Sequence, residues 1–281
     1  MSLRFALAGV LLPVLMAACG GGTSGGAAVT TLSASGLAYG RSMTVTASGS
    51  GLNDSGLQMT VDGPCSNSTR SSGATDSQVQ FTCTVDGVGM LSPRIRNALG
   101  EELARVTVTV PTPLVSVGVS QGAQSGTLVI ELDPAAAPVT VSNFMAYVTA
   151  GFYRDTLIHR VVPGKLAQGG GYSAGPVPKP PTRGAIELES NNGLRNLRGT
   201  IAMARTSVPN SATSQFYLNI SDNPEFDRVS DSDPGYAVFG RVLIGAAVLD
   251  EIGRVETRFL NAGLPELPLV DVVVTSVLQI R

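Results

Sequence analysis

Arg160, Gln168 and Gln215 are the side chains whose types and surroundings point to work on a polar, uncharged ligand. Arg160 and Gln168 lie in residues 152–171, F-Y-R-D-T-L-I-H-R-V-V-P-G-K-L-A-Q-G-G-G. Gln215 lies in residues 199–220, G-T-I-A-M-A-R-T-S-V-P-N-S-A-T-S-Q-F-Y-L-N-I. Arginine supplies a permanent charge on a rigid planar fork of donors, and glutamine an amide that both donates and accepts. Converging on one groove, the three suit a peptide backbone held by hydrogen bonds. His159 is the only histidine of the chain. A single histidine without partners makes neither a triad nor a metal site, so it is assigned a packing or supporting role. Asp231-Ser232-Asp233 with Gly235 lacks the distal glutamate of a calcium loop and reads as a solvated turn.

Both stretches carry few acidic groups, alternate apolar with polar residues and break at Gly or Pro, the pattern of strands with polar side chains at their ends. Around them, residues 115–119, 127–132, 236–243 and 270–280 read as further strands. The clearest helix signal is 135–150, with Pro138 in its first turn, an apolar stripe of Val141, Phe144, Met145 and Val148, and Gly151 as its stop. A short helix is predicted over 246–252, and residues 176–181 form a stiff proline-rich loop. Many antiparallel strands with two helices predict a closed barrel capped at its ends.

Upstream of Pro111-Thr112-Pro113, a prolyl break that marks a domain boundary, residues 29–111 carry short alternating runs separated by turn residues. Met43–Ala47, Leu57–Val61, Val79–Val85 and Val106–Val110 are examples. They predict a small immunoglobulin-like β-sandwich without a catalytic constellation. The chain is therefore mainly β, with a sandwich followed by a barrel over 114–281. Its 281 residues allow two domains, and a net charge of -2 leaves no basic footprint for nucleic acid.

The N-terminus is a targeting segment. Arg4 is a short basic region, and 5–16 is an apolar run too short to span a bilayer. Leu15-Met16-Ala17-Ala18-Cys19-Gly20 resembles the lipobox of bacterial lipoproteins, which implies a signal peptide over 1–19 and a lipidated Cys19; an ordinary signal peptide containing a cysteine is the alternative. Gly20 after the cysteine implies an outer-membrane anchor facing the periplasm, with 20–28 as a Gly-rich tether. Two cysteines then remain, Cys65 and Cys83, an even number suited to a disulfide in an oxidising compartment. With no histidine nearby they make a poor zinc site.

His159-Arg160, Gln168-Gly169-Gly170, Met203-Ala204-Arg205 and Gln215-Phe216, in that order, resemble the cyclophilin-type peptidyl-prolyl cis-trans isomerases of bacteria. The resemblance extends over about 115–281 and includes the helix Ala-Pro-Val-Thr-Val-Ser-Asn-Phe and the segment 192–200. It implies a barrel that isomerises X-Pro bonds without cofactor or metal. It assigns Arg160 to the prolyl nitrogen, Gln168 to the neighbouring carbonyl, and peptide contacts to Ala204, Arg205, Thr206 and Gln215. The apolar pocket for the ring falls at Lys165, Leu166, Tyr217 and Phe226, with Tyr236 at its rim. Most family members carry Phe where this chain has Ile158, Lys165 and Tyr217. Lys165 is expected to lay its methylenes on the pocket and its ammonium in water.

The chemistry fits those assignments. Resonance sets a barrier of about 20 kcal/mol to rotation, and the proline nitrogen regains a lone pair at the twisted transition state. A fixed cation donating to that nitrogen stabilises the twisted form above either planar one. No proton moves, so His159 has no task as a general base. Two rivals remain: a binding module that holds proline segments with little turnover, and an adhesive protein whose first domain carries the function. The expected partners are proline-containing segments of exported or envelope proteins, and a membrane reached through the lipid.

Overall fold

The structure is a computed structural model that describes residues 26–281. The signal segment 1–19, with Cys19, lies outside the described residues, as does most of the tether. The chain divides into two compact units, Met1–Pro111 and Thr112–Arg281.

Period-two alternation builds the first unit. One sheet has the order β1 (Ala28–Ser35), β2 (Ser42–Ser50), β5 (Gln78–Val85), β4 (Cys65–Arg70). The other joins β3 (Gln58–Asp62), β6 (Gly89–Arg96) and β7 (Glu102–Arg105), with β8 (Val108–Val110) also pairing β6. Met43, Val45, Ala47, Val79, Phe81 and Val85 from the first sheet share one core with Met59, Leu91 and Ile95 from the second. Their polar neighbours along each strand face out. Cys65 and Cys83 form a disulfide across the adjacent strands β4 and β5. β1 starts at Ala28, so the last residue assigned to the tether is already in a sheet.

In the second unit the strands are β9 (Leu114–Gln121), β10 (Gln124–Leu132), β11 (Thr156–Val162), β12 (Leu166–Ser173), β13 (Val177–Pro178), β14 (Thr200–Met203), β15 (Phe216–Asn219), β16 (Val238–Ile244), β17 (Thr257–Arg258), β18 (Leu267–Pro268) and β19 (Val272–Gln279). Their pairing runs β11-β19-β9-β10-β16-β14-β15-β12, and β12 returns to β11, closing the barrel. β13 extends from β12, so two residues of the proline-rich loop pair as strand. β17 and β18 form a separate ribbon.

Helix α1 (Pro138–Thr149) starts three residues later than the sequence suggests. Asp133 Oδ1 accepts the Ala136 N–H at 3.0 Å and holds 133–137 as a turn, leaving Pro138 to open the helix. The missing local cap is supplied from afar: Glu189 accepts the N–H groups of Val139 and Thr140 at 3.0 and 2.7 Å. Phe144 of the apolar stripe packs on Tyr153, Phe216 and Phe239. Helix α2 (Ala246–Ile252) coincides with the predicted segment and buries Leu249 and Ile252.

Candidate active site

Cross-strand register brings the candidate residues together. Gln168 of β12 lies opposite Arg160 of β11 on one side and opposite Tyr217 of β15 on the other. Tyr217 lies opposite Ala202, and Ala202 opposite Val238. Directly opposed residues point to the same face of a sheet, so one row crosses five strands from a guanidinium to an apolar floor. Leu166, Ala202, Tyr217 and Val238 form a small hydrophobic cluster, with Val162, Leu194, Ala204, Phe226 and Tyr236 packed against it. Phe216 and Phe239, each one position along from this row, pack on Phe144 of α1 instead. Neighbours along each strand thus serve opposite faces of the wall.

The polar edge of the row is tied by hydrogen bonds. Gln168 Nε2 donates to Gln215 Oε1 at 2.9 Å, which leaves the carbonyl of Gln168 and the NH2 of Gln215 for a ligand. The three glycines after Gln168 explain how Gln215 gets there. A Cβ on Gly171 would lie 2.6 Å from Gln215 Cδ, and one on Gly170 would lie 2.7 Å from the Ser214 carbonyl oxygen. Gly170 also has φ +83°, in the left-handed region. Arg160, partly exposed, donates from Nε to Glu266 Oε2 at 2.9 Å.

The aromatic wall is a trio. Tyr217, Phe226 and Tyr236 meet edge to face with centroids 5.6–5.8 Å apart, a favoured arrangement of the ring quadrupoles. The whole is a donor-rich edge beside an apolar surface lined by aromatic rings.

A family model described as "Cyclophilin type peptidyl-prolyl cis-trans isomerase/CLD" matches residues 115–277. The chain belongs to this family. It is 48% identical over 150 residues to peptidyl-prolyl cis-trans isomerase A of Dickeya dadantii (strain 3937), an alignment covering 52% of this chain and 77% of that protein. It is 44% identical over 155 residues to peptidyl-prolyl cis-trans isomerase B of Escherichia coli (strain K12), covering 54% and 93%. With peptidyl-prolyl cis-trans isomerase cyp18 of Streptomyces antibioticus it shares 44% over 154 residues, covering 54% and 92%. The second unit is a cyclophilin-type peptidyl-prolyl cis-trans isomerase domain.

Several details of this cyclophilin-type site differ from expectation. Lys165 does not send its ammonium to water alone: it pairs with Glu225 at 2.7 Å and lies 5.6 Å from the Phe226 ring centre. The hydrogen bond from Lys165 holds the Glu225 carboxyl below the usual range. Arg205 is turned onto the rim, donating to the Gly235 carbonyl from Nε and Nη2 and stacking 4.6 Å from the Tyr236 ring. The Thr206 backbone is already engaged, its N–H with Ser211 Oγ and its carbonyl with Arg205 Nη1. Through these bonds Arg205 and Thr206 brace the rim. Ile158 is buried and takes no part in the pocket cluster.

His159 is buried against Tyr172, and among the described residues its Nδ1 has no hydrogen-bond partner. Burial drives its pKa down to about 4, and the neighbouring Arg160 charge acts in the same direction. It is neutral at pH 7 and serves as packing, as its isolation in the sequence suggests.

Sequence reasoning missed two sets of residues. One is an asparagine network beneath the pocket. Tyr217 donates its hydroxyl to Asn196 Oδ1 at 2.7 Å, Asn219 bridges Asn196 and Thr200, and Asn223 Nδ2 reaches Asn219 Oδ1 at 2.7 Å and the Lys165 carbonyl at 3.0 Å. Burial pushes the Tyr217 phenol far above its ordinary range. Asp227 anchors the network: burial works to raise its pKa, but hydrogen bonds from Asn196 and Arg195 outweigh it and the carboxyl stays ionised. Asn219 at the end of the apolar run of β15 was the available signal, whereas Asn196 and Asn223 lie in loops. The other is Glu266, in a Pro-Leu-rich loop with no local signature.

Proposed function

We propose that Arg160 donates to the prolyl nitrogen as the imide twists, while Gln168 and Gln215 hold the adjacent backbone. The proline ring rests on Leu166, Tyr217, Phe226 and Ala204, with Tyr236 at the rim. The observation that carries this reading is the in-register row from Arg160 through Gln168 to the apolar cluster. Arginine cannot lose its charge at physiological pH and its fork is planar, so the contact strengthens as the nitrogen pyramidalises. A rate gain of roughly 10⁵-fold requires about 7 kcal/mol, shared among this contact, binding and exclusion of water. A protease-coupled assay with a proline tetrapeptide tests it, using soluble protein that begins at Ala28. Arg160→Ala is expected to lose about 100-fold in kcat/KM, and undiminished turnover would refute the assignment.

The same reading places the enzyme in the bacterial envelope, acting on proline-containing segments of exported proteins. It is supported by the lipobox-like order ending at Cys19 and by the Cys65–Cys83 disulfide, a bond that persists in oxidising compartments. Among the described residues no helix is long and apolar enough to cross a membrane. Cell fractionation checks this: the native chain is expected with outer membranes, and Cys19→Ala in the soluble fraction or unprocessed. Native chain in the cytosol would refute it. A second reading, a proline-binding module with weak turnover, draws on the ion pair of Lys165 and Glu225 where the family usually has an aromatic ring. Peptide binding without catalysis in the same assay would favour it.

A further inference from the structure

The donors of the Arg160 guanidinium are used unequally. Nε donates to Glu266 Oε2 at 2.9 Å, and among the described residues neither terminal nitrogen makes a hydrogen bond. Glu266 is in turn held by its backbone. Val161, next to Arg160 on β11, donates its N–H to the Glu266 carbonyl at 2.9 Å. Pro265 restricts the chain before Glu266, while Leu267 and Pro268, buried in β18, fix it after. A carboxylate 106 positions along the chain from Arg160 is thus locked beside it.

We propose that Glu266 is a positioning residue for isomerisation. By taking the Nε–H it sets the plane of the guanidinium and leaves both terminal nitrogens facing the imide. This rests on the reading that Arg160 acts on the prolyl nitrogen. The carboxylate has an opposing effect, since a negative charge beside the fork weakens its field at the substrate. Geometry outweighs charge here for two reasons. Arg160 and Glu266 side chains are 38% and 32% exposed, so water screens the charge. The developing lone pair is also a partial charge whose stabilisation depends on the direction of the donor. An arginine tied at one edge loses less rotamer freedom on reaching the transition state than a free one.

Three variants of the full chain test the proposal, with kcat and KM for a proline tetrapeptide measured separately. Glu266→Ala is expected to lower kcat about tenfold, ~1.4 kcal/mol of barrier, with KM within about twofold. Glu266→Gln keeps an acceptor for Nε–H and is expected to retain kcat within about threefold. In ¹⁵N spectra the Arg160 Nε–H resonance should exchange slowly with water in the native chain and in Glu266→Gln, and be lost in Glu266→Ala. Native kcat in Glu266→Ala, or equal damage in both variants, would overturn the role. Arg160→Ala separates this from the reading beneath it. If Arg160→Ala turns over normally, the assignment of Arg160 fails; if it is inactive while Glu266→Ala is fully active, only the positioning role fails. Should Glu266→Ala not fold, fast Nε–H exchange in the native chain still overturns the proposal.

Discussion

In the sandwich the innermost positions carry Met43, Val45, Leu52, Val85, Leu91 and Ile95, while in the barrel they also carry Thr156, His159, Asn196, Ser214, Asn219 and Asn223. Among the described residues, the buried Thr, Ser, Asn and His side chains all belong to the second unit. A buried polar group costs about 1–3 kcal/mol when unpaired, so it persists only where partners are arranged for it. In the barrel Asn196, Asn219 and Asn223 partner one another beneath the pocket. Among the described residues the sandwich has no such asparagine network, and its staple is covalent. Both units are alternating β-structure; what distinguishes the catalytic one is the polar scaffolding that fixes Tyr217, Lys165 and Asp227.

Removing the staple gives the largest expected effect on stability and should leave catalysis untouched. Cys65→Ser with Cys83→Ser is expected to cost about 3 kcal/mol, read as an earlier denaturant transition of the first unit with unchanged kcat/KM. A fall in turnover would show that the two units are not independent in this way.

Acid should act on the barrel through His159. His159 has a folded pKa of about 4, below its unfolded value near 6.5, so the unfolded state takes up the proton first as pH falls. The stability of the neutral imidazole is complete above pH 6.5 and is lost progressively towards pH 4, by roughly 3 kcal/mol at most. Melting curves between pH 7 and 4 check this, and His159→Gln should flatten that window. An unchanged slope in His159→Gln would move the acid sensitivity elsewhere.

Asn219→Ala removes the centre of the asparagine network, taking one donor each from Asn196 Oδ1 and Thr200 Oγ1 and one acceptor from Asn223. It is expected to cost about 2 kcal/mol and to raise KM, because Lys165 and Tyr217 lose their support. The smallest effect belongs to Tyr217→Phe. It loses one bond to Asn196, which keeps Asn219 as a donor, so about 1 kcal/mol of stability goes while the ring and the turnover remain.

Much of this was legible because the pocket lies on strands whose alternation is strong. Tyr217, Val238 and Leu166 stand at positions that the pattern assigns to one face, and the glycine run after Gln168 signals a close backbone approach. In the first unit β6 has a weak signal, since Pro93 within it argues against a paired strand, yet Leu91, Pro93 and Ile95 alternate inward there. Lys165 lies beside Phe226, but its partner Glu225 has no signal in the sequence, because a turn without periodic signature brings it near. Glu266 was invisible for the same reason: only the closed barrel and the ribbon beside it bring that loop to β11.

The most direct test of the account is the cis-trans exchange rate of a saturating proline peptide, measured by NMR with native chain and with Arg160→Lys. Lysine keeps the positive charge but lacks the planar fork and the Nε–H that Glu266 holds. The account predicts bound peptide with exchange slowed at least about tenfold. Exchange at the native rate in Arg160→Lys would contradict it, since charge alone would then suffice.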